Sequence, residues 1–417
     1  MTDAASIEAV LRAYVDQRAL AGAATLVWRG GRVVQTAVVG SRDLVTNLPV
    51  ERGTIFRIAS MTKPVTTAAA LTMYDEGRFA LDEPIAELAP ELARPRVLRD
   101  PNGPLDQTDA AERPITFGDL LTHRSGLTYG ELHRGPISRA YAEALGATID
   151  NPLGPDAWIA RLATLPLIDQ PGAGFHYGVS TDLLGFLIAR LEGAPLSVVL
   201  ERRIFRPLGM RDTGFIVSRE KRARRAGLCG FDAEGHPTAL TATPGGHALA
   251  ERPDDMTFES GGQGLWSTVD DYLAFARIFL GGGEVDGVRL LRPETCGMMA
   301  SNQLTSHQRM TARLLGRRVF AAGHGYGMGV AVVMEPDKAD PLTCRGGVGT
   351  VGWPGAFGGW WQADASDHSV LIFLTHNMVE LQQMASGIGL DVWSAIAKFH
   401  ELASESAMPA TLGFDAK

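Results

Sequence analysis

A serine and a lysine three residues apart, in Ser60-Met61-Thr62-Lys63, stand just before an apolar-periodic run from Val65 to Met73. The run predicts a helix, and on a helix residues three apart lie on one face. A serine hydroxyl is a weak nucleophile until something takes its proton. A lysine at this spacing can take it, or can tune the group that does. Pro64 suits a first helical turn, where a missing N–H costs nothing. Ser60 is therefore expected at a helix N-terminus, where the dipole favours developing negative charge. Spacing alone does not define a site: Ser218 and Lys221 share it, and there they read as a helix N-cap and a solvated basic face.

Two later stretches supply what the pair lacks. In Phe175-His176-Tyr177-Gly178-Val179-Ser180, a tyrosine follows a glycine-rich loop and precedes a predicted helix. Tyr177 can act as general base to Ser60 if its phenol, ordinarily near 10, titrates close to neutrality, a change of roughly 4 kcal/mol. A close ammonium can supply much of that, and Lys63 is the candidate. Gly352-Trp353-Pro354-Gly355-Ala356-Phe357-Gly358-Gly359 is glycine-dense beside a predicted strand. Such backbone lets N–H groups approach a substrate, as an oxyanion hole requires.

The elements that must position these groups fall into two textures. Residues 4–19 carry apolar side chains at helical spacing. Residues 24–28 and 33–39, joined across Gly30-Gly31, read as a β-hairpin. The Ser60 helix ends near Asp75-Glu76-Gly77. Residues 81–249 read as a mostly helical domain, with helices at 115–121 and 183–191 and no alternating strands. From about 260 the β signal returns: a helix at 270–280, alternation from Gly325 to Val333, strands at 360–363 and 370–374, and a last amphipathic helix at 388–402. The expected fold is α/β of the α+β type. Residues 1–80 and 250–417 would share one central antiparallel sheet flanked by helices, with the helical domain inserted between them and the site at their junction.

Composition narrows the function classes. The 417 residues carry a net charge of −8, which argues against nucleic acid or an anionic membrane surface as partner. Only five of the 39 basic residues are lysines, so Lys63 is the more informative. Three distant cysteines, Cys229, Cys296 and Cys344, form neither a disulfide framework nor a zinc pattern. The ten histidines show no metal spacing. No metal or other cofactor is implied. The N-terminus lacks a signal-peptide pattern and no apolar run reaches membrane-spanning length, so a cytoplasmic location is expected, with a processed periplasmic chain giving the same picture. Gly178 to Asp182 lacks the final glycine of a nucleophile elbow. Arg219 to Arg225 reads as a solvated helix face. Gly323 to Gly327 is not placed as a dinucleotide loop.

Ser60-Met61-Thr62-Lys63, Tyr177-Gly178-Val179 and Trp353-Pro354-Gly355 occur in the order and rough spacing of the serine β-lactamase and penicillin-binding-protein superfamily. The chain most resembles class C β-lactamases and the β-lactamase-like family VIII carboxylesterases. Phe117 to Leu127 and Gly261 to Thr268 are similar to that group too, and the resemblance covers about residues 5–400. It implies a β-lactamase-like fold and a set of roles: Ser60 the acylated nucleophile, Lys63 and Tyr177 sharing general-base work, and the backbone N–H groups of Ser60 and Ala356 forming the oxyanion hole. Tyr129, Trp353 and Gly355 would line the substrate pocket, and Asp182 would support the Lys63 and Tyr177 network.

The departures from the family pattern point to the substrate. Trp353 stands where β-lactamases usually carry a lysine that meets the antibiotic carboxylate. Val179 stands where class C enzymes carry asparagine. Both remove polar recognition and add apolar wall, so a small uncharged ester with a short or medium acyl chain is the expected substrate. A β-lactamase or D-amino-acid peptidase, an acyltransferase to an alcohol, and a non-catalytic binding protein of the same fold remain open, as does the oligomeric state.

Overall fold

The computed structural model describes residues 4–405, apart from 315, 321, 341, 380–382 and 385. Its centre is an eight-stranded antiparallel sheet built from both ends of the chain. Strands β1 (Gly22–Arg29), β2 (Arg32–Asp43) and β3 (Leu48–Pro49) come from the N-terminal part. Strands β4 (His324–Tyr326), β5 (Ala331–Val333), β6 (Val351–Gly352), β7 (Trp360–Asp364) and β8 (Ser369–Thr375) come from the C-terminal part. The order across the sheet is β4-β5-β6-β7-β8-β1-β2-β3. β1 joins the two halves: Ala23 pairs with Thr375 and Arg29 with Ser369, while its other edge pairs with β2.

Successive strand residues face opposite sides, and both sides are covered. Ala23, Val27, Leu371, Phe373 and Trp360 pack with α1 (Ala4–Asp16) and α5 (Leu390–Glu405) through Ile7, Leu11, Ile396 and Phe399. Ala24, Leu26, Ile372, Leu374 and Trp361 belong to the larger core on the other side. That core holds α2 (Thr62–Asp75), α3 (Ser180–Glu192) and α4 (Val269–Ala276). Helix α2 is buried from Thr62 to Met73, which explains its lack of a polar stripe. Pro64 sits in its first turn, as expected, and Gly77 at φ +72° follows its end.

Two expectations need correction. Residues 81–249 were expected to be mostly helical; helices alternate there with long irregular connections and with two antiparallel ribbons, Arg96–Leu98 with Thr108–Ala110 and Cys229–Phe231 with Pro237–Ala239. At three residues per strand they are too short for alternation to show. The stretch from Gly325 to Val333 is a hairpin, not one strand. Tyr326 pairs with Ala331, and Gly329 at φ +76° turns the chain between them. Glycines at both strand ends and turn mimicked a continuous pattern.

One buried group outside the sheet's ladder carries a consequence for stability. His376, just past β8, is 2% exposed, and burial pushes its imidazole from 6.5 down to about 4. The unfolded chain gains this proton near its ordinary value and the folded chain does not. His376 therefore leaves stability intact above pH 6.5 and costs stability as pH falls towards 4, by roughly 3 kcal/mol over the full window. Urea midpoints at about pH 5 and pH 7.5 should differ less in His376→Phe than in the parent. Equal differences in the two proteins would remove His376 from the acid sensitivity.

Candidate active site

Ser60 lies in a single 3-10 turn, Ala59–Met61, that runs directly into α2. Its neighbour Ala59 has φ +43°, a left-handed conformation that costs a non-glycine residue about 1–3 kcal/mol. Surrounding contacts hold it there. The Ile58 amide donates to Leu265 O at 3.0 Å, the Leu265 amide to Thr62 Oγ1 at 3.1 Å, and the Tyr272 hydroxyl to Met61 O at 2.9 Å. Ala59 itself is buried in an apolar cluster with Phe357, Leu228 and Ala248.

Lys63 is completely buried, and a buried ammonium is tolerated only when its donors are used. All three are: Nζ donates to Ser60 Oγ at 3.3 Å, Tyr129 Oη at 3.1 Å and Gly262 O at 3.0 Å. The balancing charge sits one bond further out. The Asp182 carboxylate accepts from the Tyr129 hydroxyl at 3.4 Å and from the Gly262 amide at 3.0 Å, and Ser260 Oγ donates to it as well. Burial raises the Asp182 carboxyl above its usual range, with Lys63 opposing. Burial, then the nearby Asp182 charge, holds the Tyr129 phenol well above 10. Tyr129 thus keeps its proton and passes the Lys63 contact on to Asp182.

Tyr177 lies against this group from the other side. Its ring centroid is 4.5 Å from Lys63 Nζ and 5.6 Å from the Tyr129 ring. Gly178 makes the approach possible, since a Cβ there would stand 2.3 Å from Thr128 Cα. Among the described residues the Tyr177 hydroxyl has one hydrogen-bond partner, the indole N–H of Trp353 at 3.0 Å. His123 packs on the same ring at 4.9 Å. Burial, with Lys63 nearby, holds that imidazole well below its ordinary value and so uncharged.

The third motif is seated beside the nucleophile turn. A Cβ on Gly355 would meet the Ile58 carbonyl at 2.5 Å, and one on Gly359 the Met61 sulfur at 2.8 Å. The turn closes through the Gly355 amide to Gly359 O at 2.7 Å and the Gly358 amide to Gly355 O at 3.0 Å. Neither bond uses the Ala356 amide.

The structure therefore brings together Ser60, Lys63, Tyr177, Tyr129, Asp182 and Trp353, with Gly355 and Ala356 alongside. Two placements differ from expectation, while Asp182 reaches Lys63 through Tyr129. Tyr129, expected on the substrate wall, is the direct partner of Lys63. Trp353, expected as apolar wall, is 2% exposed and aims its one polar atom at Tyr177. Arg345, near Trp353 in sequence and the obvious substitute for a lysine facing a substrate carboxylate, is not in this cluster: its backbone bonds Gln362 and His400 on the α5 side of the sheet. The second serine–lysine pair is broken, with Ser218 Oγ on Glu220 rather than on a backbone N–H and Lys221 paired to Asp212. Gly262 and Ser260 were missed, although the glycine run at 261–264 was the available signal. A variant isolates the indole's polar part. Trp353→Phe keeps an aromatic ring but leaves the Tyr177 hydroxyl without its donor, and should lower kcat about tenfold with little change in fold, on the scale of one buried hydrogen bond. Unchanged kcat would reduce Trp353 to wall.

A serine at a helix start, hydrogen-bonded to a buried lysine and near a backbone amide with no hydrogen-bond partner among the described residues, has the surroundings that activate a hydroxyl nucleophile. Fold and site together define a serine hydrolase of the β-lactamase-like fold. The chain belongs to the Beta-lactamase family, which it matches over residues 7–391. It is similar to Protein Rv1367c of Mycobacterium tuberculosis, 44% identical over 374 residues and covering 90% of each chain. It is also similar to Esterase EstB of Burkholderia gladioli, 31% identical over 395 residues, covering 91% of this chain and 92% of that one. Among solved structures, EstCE1, a hydrolase with promiscuous acyltransferase activity, superposes with a TM-score of 0.75 at 24% identity, covering 94% of this chain and 98% of its own.

Proposed function

We propose that the protein is a carboxylesterase acting on uncharged esters of short to medium acyl chains. Ser60 Oγ attacks the ester carbonyl while its proton passes to the Lys63 and Tyr177 pair, which enters the step one proton short of ammonium plus phenol. The oxyanion is held by the Ser60 and Ala356 amides. The alcohol leaves with the proton, and water then releases the acid from the Ser60 ester by the same groups in reverse. Tyr129 and Asp182 act as positioning residues for Lys63. That EstB is named an esterase supports the reading.

The observation that carries the substrate choice is the neutral, hydrogen-bonded Trp353 at the position of the family's lysine. A cation on a substrate carboxylate contributes about 1.5–3 kcal/mol, or roughly ten- to a hundredfold in affinity. Trp353 cannot supply it, and Arg345 is placed elsewhere. Purified protein should hydrolyse p-nitrophenyl butyrate with kcat/KM at least about a hundredfold above that for nitrocefin. Acetate and octanoate esters in the same assay bracket the acyl preference. Comparable efficiency on the cephalosporin would overturn the argument from Trp353.

A further inference from the structure

The backbone that holds Lys63 also carries a side chain that the reaction has not yet used. Lys63 Nζ donates to Gly262 O at 3.0 Å. The same peptide group supplies the Gln263 amide, which donates to Ser260 Oγ at 2.9 Å. Gln263 therefore begins where the Lys63 contact ends. Ser60 Oγ, 3.3 Å from the same Nζ, is two hydrogen bonds from that peptide. The residues on either side have no room for a side chain. A Cβ on Gly262 would stand 2.6 Å from the Asp182 carboxylate, and one on Gly264 2.8 Å from the Phe215 ring.

Four glutamines are buried among the described residues: Gln35, Gln263, Gln308 and Gln362. Three of them use their carboxamides inside the protein. Gln35 Nε2 donates to Thr25 Oγ1 at 3.1 Å, Gln308 Nε2 to Gly172 O at 2.7 Å, and Gln362 Oε1 accepts from the Arg345 amide at 2.9 Å. The Gln263 carboxamide bonds no described residue, although enclosed polar groups are normally paired. Nor is either of its polar atoms sealed from solvent. Gln263 is 8% exposed, and Ser60 and Tyr177 are open to the same small extent, 7% and 8%.

We propose that Gln263 is a specificity-determining residue of the active site, and that the acyl chain of the natural ester carries a neutral hydroxyl or amide that bonds its carboxamide. The inference rests on the esterase reading and narrows its substrate. A carboxamide offers two donors and an acceptor without charge, so it pairs with groups that both give and take a hydrogen bond. An anionic group would find no free cation, because Lys63 Nζ is already bonded three times. A plain alkyl chain would cover the carboxamide and leave it unpaired, and a site with such a group disfavours the analogue that lacks the partner. The acyl side follows from position. The Tyr177 hydroxyl, which serves the leaving oxygen, bonds Trp353, whereas Gln263 is attached on the Gly262 side of Lys63.

p-Nitrophenyl butyrate and the two enantiomers of p-nitrophenyl 3-hydroxybutyrate share a leaving group and differ by one hydroxyl; p-nitrophenyl 3-acetamidopropanoate adds an amide. The full-length protein should turn over the best of the polar esters with kcat/KM at least about fivefold above butyrate, the scale of one neutral hydrogen bond. Gln263→Leu should remove that preference, mainly by raising KM for the polar ester, and Gln263→Asn should keep part of it. A purely structural role for Gln263 would lower all the esters together and leave their ratio unchanged. Turnover of butyrate with no preference for any polar ester in the unaltered protein overturns this inference alone, whether or not the variants fold. So does a Gln263→Leu protein that keeps the preference, or a preference found only for 2-hydroxyethyl butyrate over propyl butyrate, which would put the polar group on the alcohol. Turnover of none of these esters overturns the esterase reading, and this inference with it.

Discussion

Ser60→Ala is expected to abolish ester turnover and covalent labelling by a fluorophosphonate while leaving the thermal transition almost where it was. Loss of a catalytic nucleophile in a serine hydrolase lowers kcat on the order of 10⁴- to 10⁶-fold. The structural cost is small. Ser60 Oγ is one of three acceptors around Lys63 Nζ, and Tyr129 Oη and Gly262 O remain after its removal. Deleting one such bond is worth about 1 kcal/mol. The result that would sink the assignment is a Ser60→Ala protein that still turns over esters and a Ser218→Ala protein that does not.

The second large effect separates the residues around the nucleophile. Lys63→Met and Tyr177→Phe should each lower kcat by at least roughly 100-fold, the usual range for loss of a general base. They should differ in stability. Lys63→Met removes the cation that opposes burial of Asp182, so its transition should fall. Tyr177→Phe removes only an acceptor for the Trp353 indole. Tyr129→Phe tests the connection between the two: Lys63 keeps Ser60 and Gly262 but loses its route to Asp182, and a smaller loss in kcat is expected. Near-normal turnover by Tyr177→Phe would leave Lys63 as the sole base. A Tyr129→Phe protein as impaired as Tyr177→Phe would show that holding Lys63 in place matters to turnover as much as the base itself.

What could be read ahead of the structure divides along physical lines. Ser60 and Lys63 are three apart on one helix, so their contact is a local consequence of helical geometry. Pro64, the hairpin at Gly30-Gly31 and the individual strands near both chain ends were legible for the same reason: period and turn chemistry are local signals. The Lys63 to Tyr129 bond joins residues 66 apart on different elements, and no local pattern encodes which of two tyrosines meets an ammonium. Trp353 was misjudged through its bulk, because an indole's single N–H disappears beside its apolar area until a partner is found. The hairpin at Gly325 to Val333 was misjudged because alternation cannot distinguish a strand from two short strands joined by a positive-φ glycine.

Because β1 pairs with β8, the order of synthesis bears on when the enzyme can work. When β1, β2 and the Ser60 helix leave the ribosome, one edge of β1 has no partner, and β8 lies 340 residues further on. At about 5–20 residues per second that is tens of seconds of waiting with an open, apolar strand edge. Ala356, whose amide is proposed to meet the oxyanion, arrives almost as late. The chain therefore holds its serine and lysine together long before it can stabilise an acyl transition state, and it becomes an enzyme only when its last strands close the sheet. Nascent chains halted before β8 should be both inactive and bound by chaperones. Slow, non-local pairing of this kind is expected to make closure by the late C-terminal strands, more than the catalytic helix, the slow step of folding.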